Sequence, residues 1–157
     1  GVHTKCRRAR QSPCTTPPFI ITYPYPPRPP PPKQTQKTHN LQIDQLGMTA
    51  PPLSSNNWGT AFVLKNLYWE STVPAALAPG NYLVRHELLA LHQAKTPQFY
   101  AVCAQIVVTG SGSKNPDGDY LATIPGYAAQ SDPGITVDTY GSSQTTYTCP
   151  GPKVWSG

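Results

Sequence analysis

The sequence predicts an all-β fold, an antiparallel β-sandwich of the immunoglobulin or fibronectin III type that follows a proline-rich N-terminal arm. From residue 41 onward, short runs rich in β-branched and aromatic residues are separated by Gly, Pro, Asn and Asp, which is typical of such a sandwich. No long stretch has the apolar spacing of an amphipathic helix. The runs are "NYLVRHELLALH", "QFYAVCAQIVVTG", "YLATIP", "GITVDTY" and "TTYTC".

Residues 1–40, here called the arm, differ in composition from residues 41–157. Ten of the twenty prolines precede residue 33, seven of the twelve basic residues lie in the arm, and no acidic residue precedes Asp44. The arm has neither helical nor alternating apolar spacing, which predicts a disordered or polyproline-like segment, or one of aberrant origin. Residues 41–157 carry five basic and seven acidic residues and form the predicted domain.

Charge and hydropathy exclude two classes of partner. The formal net charge of +5 would suggest nucleic acid, but the positive charge is concentrated in the arm and not on a folded face, so no nucleic-acid partner is predicted. No apolar run approaches the roughly 18 residues of a membrane span, so no membrane partner is predicted either. The stretch "YPYPPRPPPPK" has the spacing of a ligand for proline-binding domains, a weaker alternative function.

Two strands and the loop between them bring three polar side chains together. The strand "NYLVRHELLALH" ends at His92, and the next strand begins with "QFY" after the connection "QAKTP". Side chains alternate along a strand, so Gln98 and Tyr100 share one face, and a hairpin would place His92 beside them. Three solvated side chains at a turn are the structural alternative. A shorter signal is "WGTAFVLKN", whose helical spacing predicts one or two turns of helix.

The wider text resembles a known family. The stretch "LAPGNYLVRHELLALHQAKTPQFYAVCAQIVVTGSGS", followed by "SDPGI" and "PGPKVW", resembles the auxiliary activity family 9 lytic polysaccharide monooxygenases, formerly glycoside hydrolase family 61. The resemblance runs from about Leu41 to Gly157 and covers the C-terminal part of the family's domain. It implies a secreted fungal enzyme that uses one copper ion and an external electron donor to cleave glycosidic bonds oxidatively in cellulose or related β-glucans.

The resemblance also implies roles for particular residues. Tyr100 falls on the family's tyrosine that is the axial copper ligand. Copper(II) binds its axial ligand weakly and at a long distance, which suits a phenol oxygen. His92 and Gln98 fall on residues that hydrogen-bond the oxygen species beside the copper, and with Tyr100 they form the expected catalytic set. Tyr127 falls near a tyrosine of the flat substrate face, although the register is off by one residue. His86 is expected to pack within the protein.

The arm departs from the family. The family holds copper through the amino group and imidazole of an N-terminal histidine and through a second histidine, whereas this chain begins with Gly1. His3 would serve only if it became the N-terminus, and His39 lies too close to Asp44 and lacks the family context. The copper histidines are therefore not found, which opens the alternative of a non-catalytic polysaccharide-binding remnant.

The same departure affects the disulfides and the completeness of the fold. Four cysteines without a C-x-x-C spacing indicate an oxidising compartment and permit two disulfides. In the family Cys103 pairs with the half of the domain that the arm replaces, so Cys6 or Cys14 is its expected partner here. The sandwich is predicted to be incomplete, with strand edges left open unless the arm or another chain covers them.

Overall fold

The computed structural model describes residues 19–22, 40–93 and 95–157. Its five strands are β1 (Phe19–Thr22), β2 (Asn40–Asp44), β3 (Gly80–Ala90), β4 (Gln98–Val108) and β5 (Leu121–Ala122). They form one antiparallel sheet in the order β4-β3-β1-β2-β5. The prediction of an all-β, antiparallel fold is confirmed, and the immunoglobulin-like type stays a prediction.

Strand β1 lies inside the arm. Phe19–Thr22 pairs with β3 on one side and with β2 on the other, so it occupies the centre of the sheet. For these four residues the structure differs from the predicted disordered segment, because "FIIT" has strong β-propensity but is too short to show alternation between its flanking prolines. The remainder of the arm lies outside the described residues.

Among the described residues, one short α-helix lies between β2 and β3, a 3-10 turn (Gly118–Tyr120) precedes β5, and a second α-helix follows β5. Helix α1 (Gly59–Asn66) confirms the predicted helical turns and ends at Leu67, whose backbone is left-handed and whose N–H donates to the Val63 carbonyl. Helix α2 (Pro133–Thr136) begins after Asp132, whose carboxylate accepts from the Gly134 N–H at 2.8 Å. In the part of the chain that the structure describes, no helix is long and apolar enough to cross a membrane.

Strand β3 buries different faces along its length. Tyr82 and Val84, at even positions, are buried in a core that lies against β2 and includes Leu41 and Trp155. Leu89, at an odd position, is buried in a second cluster on the opposite face with Leu91 and Ile135. The strand therefore belongs to two cores, and the change of face falls at the adjacent buried residues His86 and Glu87.

His86 is the buried residue of β3 that follows Val84 on the face of the first core. It is 8% exposed, in agreement with the expected packing role, and its strand partner Phe19 also pairs with Asp44 of β2. Burial lowers the pKa of His86 to about 4, an effect that the Asp44 carboxylate partly opposes. The imidazole is therefore neutral in the folded chain at pH values at which the unfolded chain protonates it.

This difference predicts acid sensitivity. Because the pKa of His86 is lower in the folded state than its ordinary 6.5, the free energy of unfolding should fall as the pH decreases from 6.5 towards 4, by about 3 kcal/mol in total. Urea denaturation at pH 7 and pH 4.5 measures the loss. His86→Gln should remove most of it, while His92→Gln, which keeps His86, should retain it. An equal loss in wild type and His86→Gln would contradict this origin.

Candidate functional site at the hairpin end

The β3–β4 hairpin positions the first candidate residues. In its register Gln98 lies opposite Ala90 and Tyr100 opposite Leu88, so the predicted hairpin is confirmed and both polar side chains lie on the even face. The Tyr100 hydroxyl donates a hydrogen bond to the Gln98 side-chain oxygen. Tyr100 is 57% exposed. Because its hydrogen is committed to Gln98, the phenol oxygen keeps its lone pairs for another partner.

His92 lies in the loop that follows β3. Its imidazole is half-buried, and among the described residues no hydrogen bond joins it to Gln98 or Tyr100. Two contacts hold the start of this loop in place. Leu91 is buried in the second core, and its carbonyl accepts from the Thr139 hydroxyl at 3.4 Å. The structure thus brings Gln98 and Tyr100 into contact and places His92 at the same end of the hairpin.

Thr139 brings an exposed aromatic residue to this end. The next residue, Tyr140, is 64% exposed, and its backbone N–H donates to the Asp138 carboxylate at 2.9 Å. The Gly141 N–H donates to the same oxygen at 3.0 Å, and these two backbone donors lower the pKa of Asp138. Sequence reasoning missed Tyr140. A signal was available in "DTYG", where Asp two residues before Tyr favours a tight turn with an outward ring.

Tyr127 lies on the other face of the hairpin. Its hydroxyl donates to the Glu87 carboxylate, and its ring packs edge-to-face on Phe99 with 6.0 Å between ring centroids. Glu87 and Phe99 are odd positions of β3 and β4, whereas Gln98 and Tyr100 are even. The structure therefore does not bring Tyr127 together with Tyr100.

A buried carboxylate fixes Tyr127 in place. Glu87 is fully buried and also forms an ion pair with Arg85, two residues earlier on the same face. Burial, followed by the charge of Glu87, raises the pKa of the Tyr127 hydroxyl, so the phenol stays protonated and donates. At Gly151, whose φ is +106°, a Cβ atom would come within 3.0 Å of the Tyr127 ring. A residue larger than glycine at position 151 would therefore press against the Tyr127 ring.

The possible metal donors can now be compared with the copper expectation. Among the described residues no group of three or more His, Cys, Asp or Glu side chains lies close enough to hold a metal ion. Tyr100 offers one exposed oxygen, which suits a weak axial position but not a complete set. The candidate ligand His3 and the excluded His39 lie outside the described residues. The described residues alone therefore do not make a copper site.

Cys103 lies at the middle of β4. It is exposed and forms no disulfide with another described residue. Its expected partners, Cys6 and Cys14, lie outside the described residues, so this pairing stays a prediction.

Comparison with known proteins defines the class. The model of Auxiliary Activity family 9 (formerly GH61) matches residues 21–147, which is most of the chain. The chain belongs to this family. The match begins within β1, twenty residues before the resemblance identified from the sequence.

Individual relatives agree with this assignment. AA9 family lytic polysaccharide monooxygenase B of Heterobasidion irregulare is 45% identical over 119 residues, covering 74% of this chain and 49% of that protein. AA9 family lytic polysaccharide monooxygenase D of Thermothelomyces thermophilus is 57% identical over 93 residues, covering 59% of this chain and 36% of that protein. The chain thus spans half or less of the length of these curated relatives.

Solved structures give the same fold. The crystal structure of HiLPMO9B superposes with a TM-score of 0.79 at 36% identity, covering 90% of this chain and 63% of that one. That of a cellulose-active polysaccharide monooxygenase from M. thermophila superposes with a TM-score of 0.73 at 36% identity, covering 95% and 69%. These neighbours are β-sandwich proteins, so the sandwich class of the fold is confirmed.

The contact between Tyr127 and Glu87 predicts a stability effect. Tyr127→Phe removes the hydroxyl that donates to Glu87 and leaves this buried carboxylate oxygen without a hydrogen bond. The free energy of unfolding should therefore fall by about 1–3 kcal/mol. Urea denaturation at neutral pH measures the change. Tyr140→Phe, which alters an exposed ring, should change stability by less than about 0.5 kcal/mol. Equal stability of Tyr127→Phe and wild type would rule out a contribution from this hydrogen bond.

Proposed function

We propose that this chain carries one side of the active site of a copper-dependent lytic polysaccharide monooxygenase that cleaves glycosidic bonds oxidatively in cellulose or a related β-glucan. The observation that carries the proposal is the Tyr100–Gln98 pair, an exposed phenol oriented by a carboxamide at the end of a rigid hairpin, in a chain of this family. A secreted protein, an external electron donor and a β-glucan partner are parts of the same proposal.

In this function Tyr100 would be one of the residues that hold the copper, through its phenol oxygen. Its hydroxyl donates to Gln98, so a lone pair on the phenol oxygen stays available for a metal. The eleven-residue pairing with β3 fixes the backbone at both residues, which limits how far the oxygen can move. Orientation, and not charge, is the contribution of this pair.

His92 and Gln98 provide polar groups near the reacting oxygen. Leu91 anchors the loop in the second core and leaves the adjacent His92 imidazole half-exposed at the hairpin end. An imidazole and a carboxamide can both donate hydrogen bonds to an oxygen atom. Held at one end of the hairpin, they would orient that atom and control proton delivery to it.

The nitrogen ligands must come from outside the described residues. His3 would serve as one of them if it became the N-terminus, because a free amino group binds copper far better than an amide nitrogen does. When bound, copper would supply activation of oxygen or peroxide for removal of a hydrogen atom beside the glycosidic bond. The described residues would supply the phenol oxygen of Tyr100 and the hydrogen-bonding groups of such a site.

Substrate binding is assigned to exposed aromatic rings. The sequence predicts Tyr127 for this role, and its ring is half-buried with the hydroxyl donating to Glu87. Tyr140 is 64% exposed and is held at the hairpin end by the contacts of Thr139 and Asp138. An exposed ring can bury its apolar face against a sugar, so Tyr140 is the better candidate and Tyr127 supports the surface from within.

The axial role of Tyr100 predicts a spectroscopic change. Copper(II) titration of the chain from which Gly1 and Val2 have been removed, so that His3 carries a free amino group, followed by electron paramagnetic resonance, should reveal one tight site. Tyr100→Phe in this chain should alter the spectrum and weaken binding by about tenfold, while Tyr140→Phe should leave both unchanged. Absence of a tight site would reject the enzyme for this chain, and a spectrum insensitive to Tyr100→Phe would reject the role of Tyr100 as a copper ligand.

A non-catalytic polysaccharide-binding role is the second candidate. The exposed ring of Tyr140, which can contact a sugar without any metal, favours it. Retention of cellulose binding without copper uptake would distinguish it from the enzyme.

Both functions predict that Tyr140 contributes to binding. Tyr140→Ala should weaken the retention of the chain on microcrystalline cellulose by about fivefold, which corresponds to about 1 kcal/mol of lost ring contact. Depletion of protein from solution over a range of cellulose concentrations gives the affinity. Tyr68→Ala, at an exposed ring beside α1, serves as the matched control and should bind like wild type. Equal loss in both variants would indicate non-specific adsorption.

A further inference from the structure

Tyr127 bridges the two strands of the hairpin on the face of their odd-numbered residues. Its hydroxyl donates to Glu87 of β3, while its ring packs edge-to-face on Phe99 of β4, with 6.0 Å between the ring centroids. In the antiparallel register Phe99 lies opposite Leu89, and Glu87 precedes Leu89 by two residues on the same face. One side chain therefore contacts both strands close to the end of their pairing.

Tyr127 is itself anchored in two ways. Glu87 is fully buried and paired with Arg85, so the carboxylate that accepts from the hydroxyl has a fixed position. Ala128, the next residue after Tyr127, packs against the second core. Because the ring is held through its hydroxyl and through its chain neighbour, its contact with Phe99 restrains the first residues of β4.

The Gln98–Tyr100 pair flanks Phe99 in the chain. Gln98 is the first residue of β4 and belongs to the last pair of the hairpin, opposite Ala90. The ends of paired strands open at a lower free-energy cost than their middles. The side chains of Gln98 and Tyr100 face the same way only while the backbone between them stays extended, and their hydrogen bond depends on this. A contact that restrains Phe99 from the opposite face therefore also restrains the pair.

We propose that Tyr127 is a positioning residue for the Gln98–Tyr100 pair and acts through Phe99, from the opposite face of the hairpin. Its effect on a copper ligand rests on the proposed function, whereas its effect on the orientation of the Tyr100 hydroxyl does not. This role differs from the substrate contact that the sequence predicts for Tyr127. The half-buried ring acts on the site by holding β4, and not by touching a sugar.

A fluorine label tests this role without metal. In the metal-free 157-residue chain, meta-fluorotyrosine at position 100 reports its surroundings by fluorine nuclear magnetic resonance, and Gln98→Ala gives the signal of a hydroxyl without its acceptor. Phe99→Leu should lower the ratio of bonded to unbonded hydroxyl by about fivefold, the effect of one edge-to-face contact, and move the signal towards that of Gln98→Ala. Phe99→Tyr, which keeps a ring, should restore the wild-type signal.

Two controls separate positioning from a general loss of stability. Val84→Ala leaves a cavity in the first core, so it should lower the free energy of unfolding without moving the fluorine signal. Val107→Ala, at an exposed odd position of β4, should leave both unchanged. Phe99 is also exposed, so its replacement is compatible with the fold. A signal that Phe99→Leu leaves in place, or that Val84→Ala moves as far, would overturn the proposal.

A double variant tests whether Tyr127 acts through Phe99. Tyr127→Phe keeps the ring but frees it from Glu87, so it should move the signal in the same direction as Phe99→Leu. The double variant should move the signal no further than Phe99→Leu alone, because independent effects would add and effects in series do not. Additive changes would contradict the proposed order of contacts.

Copper connects this role to the proposed function. In the chain that begins at His3, Phe99→Leu should alter the electron paramagnetic resonance spectrum as Tyr100→Phe does, while Val107→Ala should not. If copper binds and only Tyr100→Phe alters the spectrum, Tyr127 does not position the ligand. If no copper binds, the proposed function fails, and the fluorine signal of the metal-free chain still decides whether Tyr127 positions Tyr100.

Discussion

The fully buried carboxylate of Glu87 is the constraint on which the packing at the loop end of the β3–β4 hairpin depends. A charge removed from water is tolerated only with close, well-placed partners. Here Arg85 supplies the opposite charge and Tyr127 supplies a hydrogen-bond donor. Satisfying Glu87 therefore ties the segment around residue 127 to β3, and the Tyr127 ring in turn covers Phe99 of β4.

The same residue marks the point at which β3 exchanges one core for another. On the N-terminal side of Glu87, the even-numbered side chains of β3 are buried against β2. On its C-terminal side, the odd-numbered Leu89 is buried against the segment around Ile135. On the even face at this end of the hairpin Ala90 is buried, Gln98 is half-buried and Tyr100 is 57% exposed. Gln98 and Tyr100 therefore lie on the face opposite the second core.

Part of this could be predicted from local patterns. Alternation and turn residues identified β3, β4 and the loop between them, and strand parity then placed Gln98 beside Tyr100. Alternation did not predict the change of face at Glu87, because apolar residues occur on both sides of "YLVRHELLALH". Hydropathy ranks Glu87 as a surface residue, and its burial depends on the ion pair with Arg85 and on the contact with Tyr127, forty positions later.

The features that local patterns did not predict have a common physical cause. Strand β1 has four residues between prolines, so its central position depends on pairing with β2 and β3 and not on its own periodicity. Tyr127 and Tyr140 are both tyrosines in loops, and nothing local distinguishes the one that turns inward from the one that stays in water. Tyr127 donates to the buried Glu87, whereas Tyr140 follows the turn that Asp138 forms and stays exposed.

The segment from Tyr147 to Trp155 contacts both the first and the second core, so both cores depend on residues that are synthesised late. Tyr147 packs in the cluster of Trp58 as well as in that of Leu89. Trp155 enters the first core, and its backbone N–H donates to the Gln42 carbonyl at 2.8 Å. Contacts that join residues more than a hundred positions apart form late. Neither core can therefore close until the segment from Tyr147 to Trp155 has been synthesised, and until then the apolar faces of the sheet stay uncovered.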